Sequence, residues 1–246
     1  MKIFSKMSKF LAVGSLVVLA GAAQATPINV GGVVWDPDSG ADFQSNGNVY
    51  ETFATTVGDT VTGFGTVTQY NGLTVGDFCP GCELTFTFSM ELITATPLVP
   101  GLFLFEFDNI SVNMFVDDSP EYSQLSPSFA DASDGVLFLS AVNNGLLTGT
   151  AFNLFDANNI SGNGSGFLDV NGGLAESNFD TNGKFNGSDI QFNSSFIPAQ
   201  VDVDGFPLFG SVDFAGDTIP EPGSVLLLGG GLLGLYMGRR RRTKKA

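Results

Sequence analysis

Residues Cys82 to Leu92 read CELTFTFSMEL, and their side chains alternate between polar and apolar. Successive side chains of a β-strand point to opposite faces, so an alternation of period two is what a strand with one buried face requires. The stretch therefore predicts a half-buried strand. Its apolar face carries Leu84, Phe86, Phe88, Met90 and Leu92.

Similar patterns recur along the middle of the chain and predict further strands. They are at Thr60–Tyr70, Leu102–Phe107, Ile110–Val116, Val136–Val142, Leu146–Phe155 and Ile190–Phe196. Asn143-Asn144-Gly145 stands between two of these strands and predicts a hairpin turn. Many short strands with frequent turns, and no helical period between residues 26 and 218, favour an all-β antiparallel fold, a β-sandwich or a jelly-roll-like ectodomain.

The first 25 residues have the layout of a secretory signal peptide. Lys2, Lys6 and Lys9 precede the apolar stretch Phe10–Ala22, and Ala23-Gln24-Ala25 is a small-residue cleavage site. We therefore expect the mature chain to begin at Thr26 and to be exported.

The chain from Pro220 to Ala246 combines three features in a fixed order. Pro220-Glu221-Pro222 is followed by the apolar run Val225–Met237, shorter than the roughly 20 residues of a typical membrane span, and then by cations. Cations that follow an apolar run stay on the cytoplasmic side of a membrane and stop its transfer. This predicts a short C-terminal transmembrane helix. The stop-transfer cations are Arg239, Arg240, Arg241, Arg242, Lys244 and Lys245.

These C-terminal residues resemble the PEP-CTERM sorting signal of Gram-negative bacteria. The resemblance implies that an exosortase, a membrane cysteine protease, cuts near Pro220, Glu221 and Pro222. It also implies a destination at the cell surface or in the extracellular matrix, with a structural or adhesive role in the envelope or biofilm matrix. Extracellular polysaccharide is a further partner that this setting suggests.

The composition divides the chain into four parts. A signal peptide occupies 1–25, a β-sandwich ectodomain 26–212, a linker 213–219, and the sorting and anchor segment 220–246. Within the ectodomain, the Gly/Asn/Ser-rich stretch from Asn158 to Asn171 predicts a long surface loop.

Charge is distributed very unevenly. All 25 Asp and Glu lie between Asp36 and Glu221, where Lys184 is the one cation, so that segment has a net charge of −24. Nucleic acids and anionic lipids need cations against phosphate, so this segment is excluded from binding either. Such a charge keeps a secreted domain soluble and attracts divalent cations or basic partners.

The residue types exclude several kinds of catalysis. The chain has no histidine, which removes Ser-His-Asp and Cys-His mechanisms. Paired carboxylates could still hydrolyse glycosides, but 25 dispersed acids single out no pair. We therefore expect no enzyme and name no catalytic residue, with a carboxylate-dependent glycosidase as an alternative.

Cys79-Pro80-Gly81-Cys82 is a C-x-x-C motif in a chain expected to be exported. Outside the cytoplasm such a pair most often forms a local disulfide that closes a turn. Metal binding and redox chemistry are the alternatives, but a four-ligand zinc site cannot be built from two Cys without His.

No cofactor is expected, although Ca²⁺ is an alternative. Asp180-x-Asn182 and Asp202-x-Asp204 resemble fragments of oxygen-rich calcium loops. Counted from Asp180, positions 5, 6 and 12 are Lys184, Phe185 and Gln191, so the EF-hand pattern is not completed there. Trp35 and Tyr50 could stack on a sugar ring, so a carbohydrate-binding module is a second alternative; core packing is the other interpretation of Trp35.

Overall fold

Antiparallel strands make up most of the residues that the computed structural model describes, which are 27–37, 43–200, 203 and 205–219. The predicted signal peptide and the predicted C-terminal transmembrane helix lie outside these residues. Within them, no helix is long and apolar enough to cross a membrane. The strands are β1 (Ile28–Val30), β2 (Val33–Trp35), β3 (Phe43–Glu51), β4 (Thr60–Tyr70), β5 (Leu73–Thr74), β6 (Glu83–Val99), β7 (Leu102–Asp117), β8 (Val136–Asn143), β9 (Leu147–Phe152), β10 (Ser161–Gly172), β11 (Ile190–Pro198) and β12 (Leu208–Gly216). The short helices are α1 (Val75–Phe78), α2 (Glu176–Phe179) and the 3-10 helix Phe185–Gly187.

The main sheet closes on itself. Its strands follow the order β11-β12-β3-β4-β6-β7-β8-β10, and β10 pairs again with β11. The strand β9 continues the line of β8 between β7 and β10, while β1 and β2 form a separate hairpin. Every strand pairing is antiparallel, so the predicted all-β antiparallel class is confirmed. The closed sheet forms two facing layers that join at both edges.

The inside of the ring is filled by the face that the CELTFTFSMEL alternation predicted. Phe86 of β6 packs edge-on against Phe214 of β12, with ring centroids 5.6 Å apart. Farther along the core, Phe105 of β7 lies 6.0 Å from Phe196 of β11. Aromatic contacts of this kind bury large apolar areas, and that burial is the main force holding the two layers together.

One end of the ring, which we call the proximal end, is where β6 begins and β7 ends. The β1–β2 hairpin lies there, since a Cβ added at Gly31 would fall 2.9 Å from the Val116 side chain. Trp35 is completely buried and contacts Tyr70, Phe138 and Phe179, with centroids 5.4 to 6.3 Å apart. This aromatic cluster closes the proximal end of the core.

The segment 118–135, between β7 and β8, forms an outer layer on the sheet. Phe64 points outward from β4, yet it is fully buried because Tyr122, Phe129 and Phe206 pack edge-on against its ring. The Tyr122 backbone N–H donates to the carboxylate of Glu83, whose side chain the alternation had assigned to the polar face. The polar face of β6 is therefore covered at Glu83 by the segment 118–135.

Three sequence predictions about connections are wrong: a surface loop, a linker and a hairpin turn. Residues 158–171, expected to be a surface loop, contribute most of β10. Their glycines are needed because neighbouring rings occupy the space of a side chain: a Cβ at Gly162 would lie 2.6 Å from the Phe196 ring, and one at Gly164 3.3 Å from the Phe105 ring. Glycine here reflects packing under aromatic rings.

The predicted linker 213–219 is wrong as well, because β12 continues to Gly216 and pairs with both β11 and β3. The predicted hairpin at Asn143-Asn144-Gly145 is also absent from the described strands. The strands β8 and β9 each pair with β7 and with β10 on either side. Their backbone groups are thus already bonded, and the chain runs on past Gly145 in the same direction.

Candidate functional site

The sorting residues Pro220, Glu221 and Pro222 and the cations Arg239, Arg240, Arg241 and Arg242 lie outside the described residues. The structure does describe the chain that leads to them. We call residues 217–219 the exit segment, because it joins β12 to the predicted sorting motif with no intervening linker.

The exit segment is held against the domain by three contacts. Lys184 Nζ lies 2.9 Å from Asp217 Oδ1, which is the one salt bridge among the described residues. Thr218 is only 6% exposed. The Ile219 N–H donates to the Asn178 carbonyl at 2.8 Å, and Asn178 Nδ2 donates back to the Ile219 carbonyl at 3.5 Å.

Lys184 stands out in the sequence as the one cation between Asp36 and Glu221, but the sequence does not identify its partner. Asp217 is 33 residues away, and one cation among 25 acids has many candidates. The exit segment itself gave no signal beyond its position before Pro220.

Cys79 and Cys82 are joined in a disulfide, with Cα atoms 5.1 Å apart. The Cys82 N–H donates to the Cys79 carbonyl across the turn. Cys82 packs against Gly32 of the β1–β2 hairpin, and both cysteines are buried. The bridge therefore sits in the proximal-end core, between α1 and the start of β6.

Neither aromatic residue considered for sugar binding is accessible. Trp35 lies in the proximal cluster and has no exposed surface. Tyr50 is 6% exposed and packs between Phe64 and Phe209 in the outer layer. The alternative in which either ring stacks on a sugar is therefore contradicted, because both rings serve internal packing.

The loop that contains Asp180 and Asn182, whose sequence resembles part of a calcium-binding loop, is organised around a different acid, Asp189. The buried carboxylate of Asp189 accepts the N–H groups of Val170, Thr181 and Asn182, at 2.6 to 2.8 Å. Asp180 itself accepts from Asn182 Nδ2. These bonds hold the loop together within the protein, whereas Asp202 and Asp204 lie outside the described residues.

Three acids that the sequence did not single out come together beside the outer layer. Carboxylate oxygens of Asp117, Glu121 and Asp134 lie within 4.8 Å of one another. The hydrogen bond with Asp134, together with the charge of that carboxylate, raises the pKa of Glu121. Burial raises the pKa of nearby Glu83, although the Glu121 and Tyr122 N–H groups act in the opposite direction. Negatively charged side chains are thus concentrated near the two ends of the segment 118–135.

A buried acid, Glu51, points into the core of the ring. Glu51, the last residue of β3, is 2% exposed, and its Oε1 has no hydrogen-bond partner among the described residues. Burial raises its pKa to about 8, so the side chain is largely protonated at neutral pH. Its place in the alternation of β3, with Ser45 and Val49, is the sequence signal that could have identified it.

The core also contains a small cavity of about 10 Å³, lined by apolar side chains that include Val112, Met114 and Leu139. A cavity of this size holds at most one water molecule, and a water needs polar partners. This cavity therefore offers no space for a substrate.

Comparison with known families finds a match in the C-terminal part of the chain. Residues 218–242 match the family described as PEP-CTERM protein-sorting motif. The match begins inside the exit segment and covers Pro220-Glu221-Pro222, the apolar run and the four arginines. Comparisons with curated proteins and with solved structures find no match. Residues 218–242 thus match a PEP-CTERM protein-sorting motif, and this match supports an exported protein that carries a signal for processing by exosortase.

Proposed function

We propose that the β-domain is displayed at the cell surface or in the extracellular matrix, where it has a structural or adhesive role. The observation that carries the proposal is the sorting motif, matched at residues 218–242, directly behind a folded β-domain. A signal that directs a protein to the surface, attached without a linker to a closed antiparallel sheet, is suited to presenting that sheet outside the cell.

We also propose that the domain works without catalysis and without a resident cofactor. In support, the apolar lining of the core cavity provides no reacting group. The acids Asp117, Glu121 and Asp134 lie on the surface, where solvent weakens their interaction with any single ion.

The first test is sorting in an exosortase-bearing Gram-negative host. The wild-type chain is compared with a variant carrying Pro220→Ala, Glu221→Ala and Pro222→Ala, by fractionation and intact mass. We expect the wild type to lose its C-terminal segment and to reach the surface, and the variant to keep that segment and to stay in the membrane. Equal processing of both would contradict recognition of the motif.

The second test concerns the role. Cells that display the wild type should bind to surfaces or matrix polysaccharide more than cells that retain the triple variant. The purified protein should release no sugar from that polysaccharide. Sugar release that is lost in Glu121→Gln would instead favour a carboxylate-dependent glycosidase.

A further inference from the structure

The exit segment limits where a processing protease can cut this chain. We propose that Lys184 and Asn178 act as a clamp on residues 217–219, so that the cut bond lies on the C-terminal side of Ile219. The mature protein then keeps Asp217, Thr218 and Ile219. This inference rests on the processing proposed above and adds the position of the cut.

The first support is that backbone groups of the exit segment are already bonded. A protease binds its substrate as an extended chain that offers backbone N–H and C=O groups to the enzyme. The N–H and the carbonyl of Ile219 are both bonded to Asn178. To enter a protease cleft, Ile219 would have to leave Asn178 first.

The second support is that side chains hold the segment on both sides of Thr218. Thr218 is 6% exposed, and Asp217 is bonded to Lys184 at 2.9 Å. Between Asp36 and Glu221, Lys184 is the sole cation against 25 acids. Its charge therefore holds Asp217, directly before the matched sorting motif, and no other Lys or Arg of that stretch could replace it.

A clamp of this kind slows cleavage by keeping the fraction of molecules with an open exit segment small. Cleavage of an ordered segment requires local opening, and its rate follows the fraction of molecules that are open. Within the part of the chain that the structure describes, the closed clamp therefore restricts cutting at residues 217–219.

The test uses the full chain in an exosortase-bearing host, with intact mass and C-terminal peptide sequencing of the processed protein. We expect a single C-terminus at Ile219 or beyond. A main product that ends before Ile219 would overturn the proposal, while the motif would still be recognised. Failure of any processing would instead count against the proposed function.

Two variants open the clamp by different means. Lys184→Gln removes the cation, and Gly183→Ala adds a Cβ that would collide with the Asp217 carboxylate. Lys184→Arg keeps the charge and is the matched control. In limited proteolysis of the purified full chain, we expect both opening variants to be cut within 213–219 several-fold faster than the wild type and Lys184→Arg.

The proteolysis experiment does not depend on exosortase, so it tests the clamp even when sorting fails. Equal cutting rates for all four proteins would show that these contacts do not protect the exit segment. Global unfolding is monitored in parallel by urea titration, so that a loss of the whole fold is recognised as such.

Discussion

The Tyr122 N–H donates to both carboxylate oxygens of Glu83, at 3.2 and 3.0 Å. This contact ties the segment 118–135 to the first residue of β6, across 39 residues of sequence. It lies beside Asp117, Glu121 and Asp134, whose mutual repulsion acts against the same attachment. The outer layer therefore depends on a hydrogen bond made inside a cluster of like charges.

Removing that acceptor should loosen the outer layer. Glu83→Leu leaves the partly buried Tyr122 N–H without its partner, and an unpaired donor costs about 1–3 kcal/mol when it is fully buried, which sets the upper limit of the loss. Glu83→Gln keeps an acceptor oxygen and should cost less. Urea unfolding measures the loss, and limited proteolysis should show earlier cutting within 118–135. Equal stability of Glu83→Leu and the wild type would contradict this role.

Glu51 should make stability depend on pH. Because burial raises its pKa from 4.5 to about 8, the folded state binds this proton more tightly than the unfolded state does. The stability that this contributes is fully present below pH 4.5 and is lost as the pH rises towards 8. Over that range the loss is roughly 3–5 kcal/mol.

Glu51→Gln is neutral at every pH and provides the comparison. The variant and the wild type should have similar unfolding free energies near pH 5, and the variant should be the more stable by several kcal/mol at pH 9. Parallel curves for the two proteins between pH 5 and 9 would show that Glu51 does not titrate in the folded state as described.

Phe64 and Phe152 offer a matched pair of phenylalanines. Phe64 is fully buried under the outer layer, whereas Phe152 is 53% exposed. Phe64→Ala should reduce the free energy of unfolding by about 3–5 kcal/mol because it leaves a cavity. Phe152→Ala should change it by less than about 1 kcal/mol. If thermal unfolding gives similar losses, segment 118–135 does not form a packed layer in solution.

Divalent cations should act on the full-length protein by screening its charge. Ca²⁺ and Mg²⁺ at equal millimolar concentration should raise the melting temperature equally, relative to EDTA, in both the wild type and Glu121→Gln. A ligand that binds only the native state would raise it by mass action. A Ca²⁺-specific increase that is lost in Glu121→Gln would reveal a calcium site at Asp117, Glu121 and Asp134.

The sequence by itself determined the features that depend on local pattern. The alternation from Leu84 to Leu92 predicted the inner face of β6, because side-chain direction in a strand follows from residue spacing alone. The sorting motif at Pro220-Glu221-Pro222 was equally readable, because its motif, apolar run and cations are contiguous.

Only the tertiary structure decided which strands pair and which side chains come into contact. The pairing of β10 with β11 closes the sheet, and it brings Phe196 over Gly162, in a stretch that looked like a loop. The same closure leaves no room for a hairpin at Gly145. Burial of Trp35, Tyr50 and Glu51, and the pairing of Lys184 with Asp217, depend on residues distant in sequence. Composition cannot specify such partners, because many acids and phenylalanines could have filled each place.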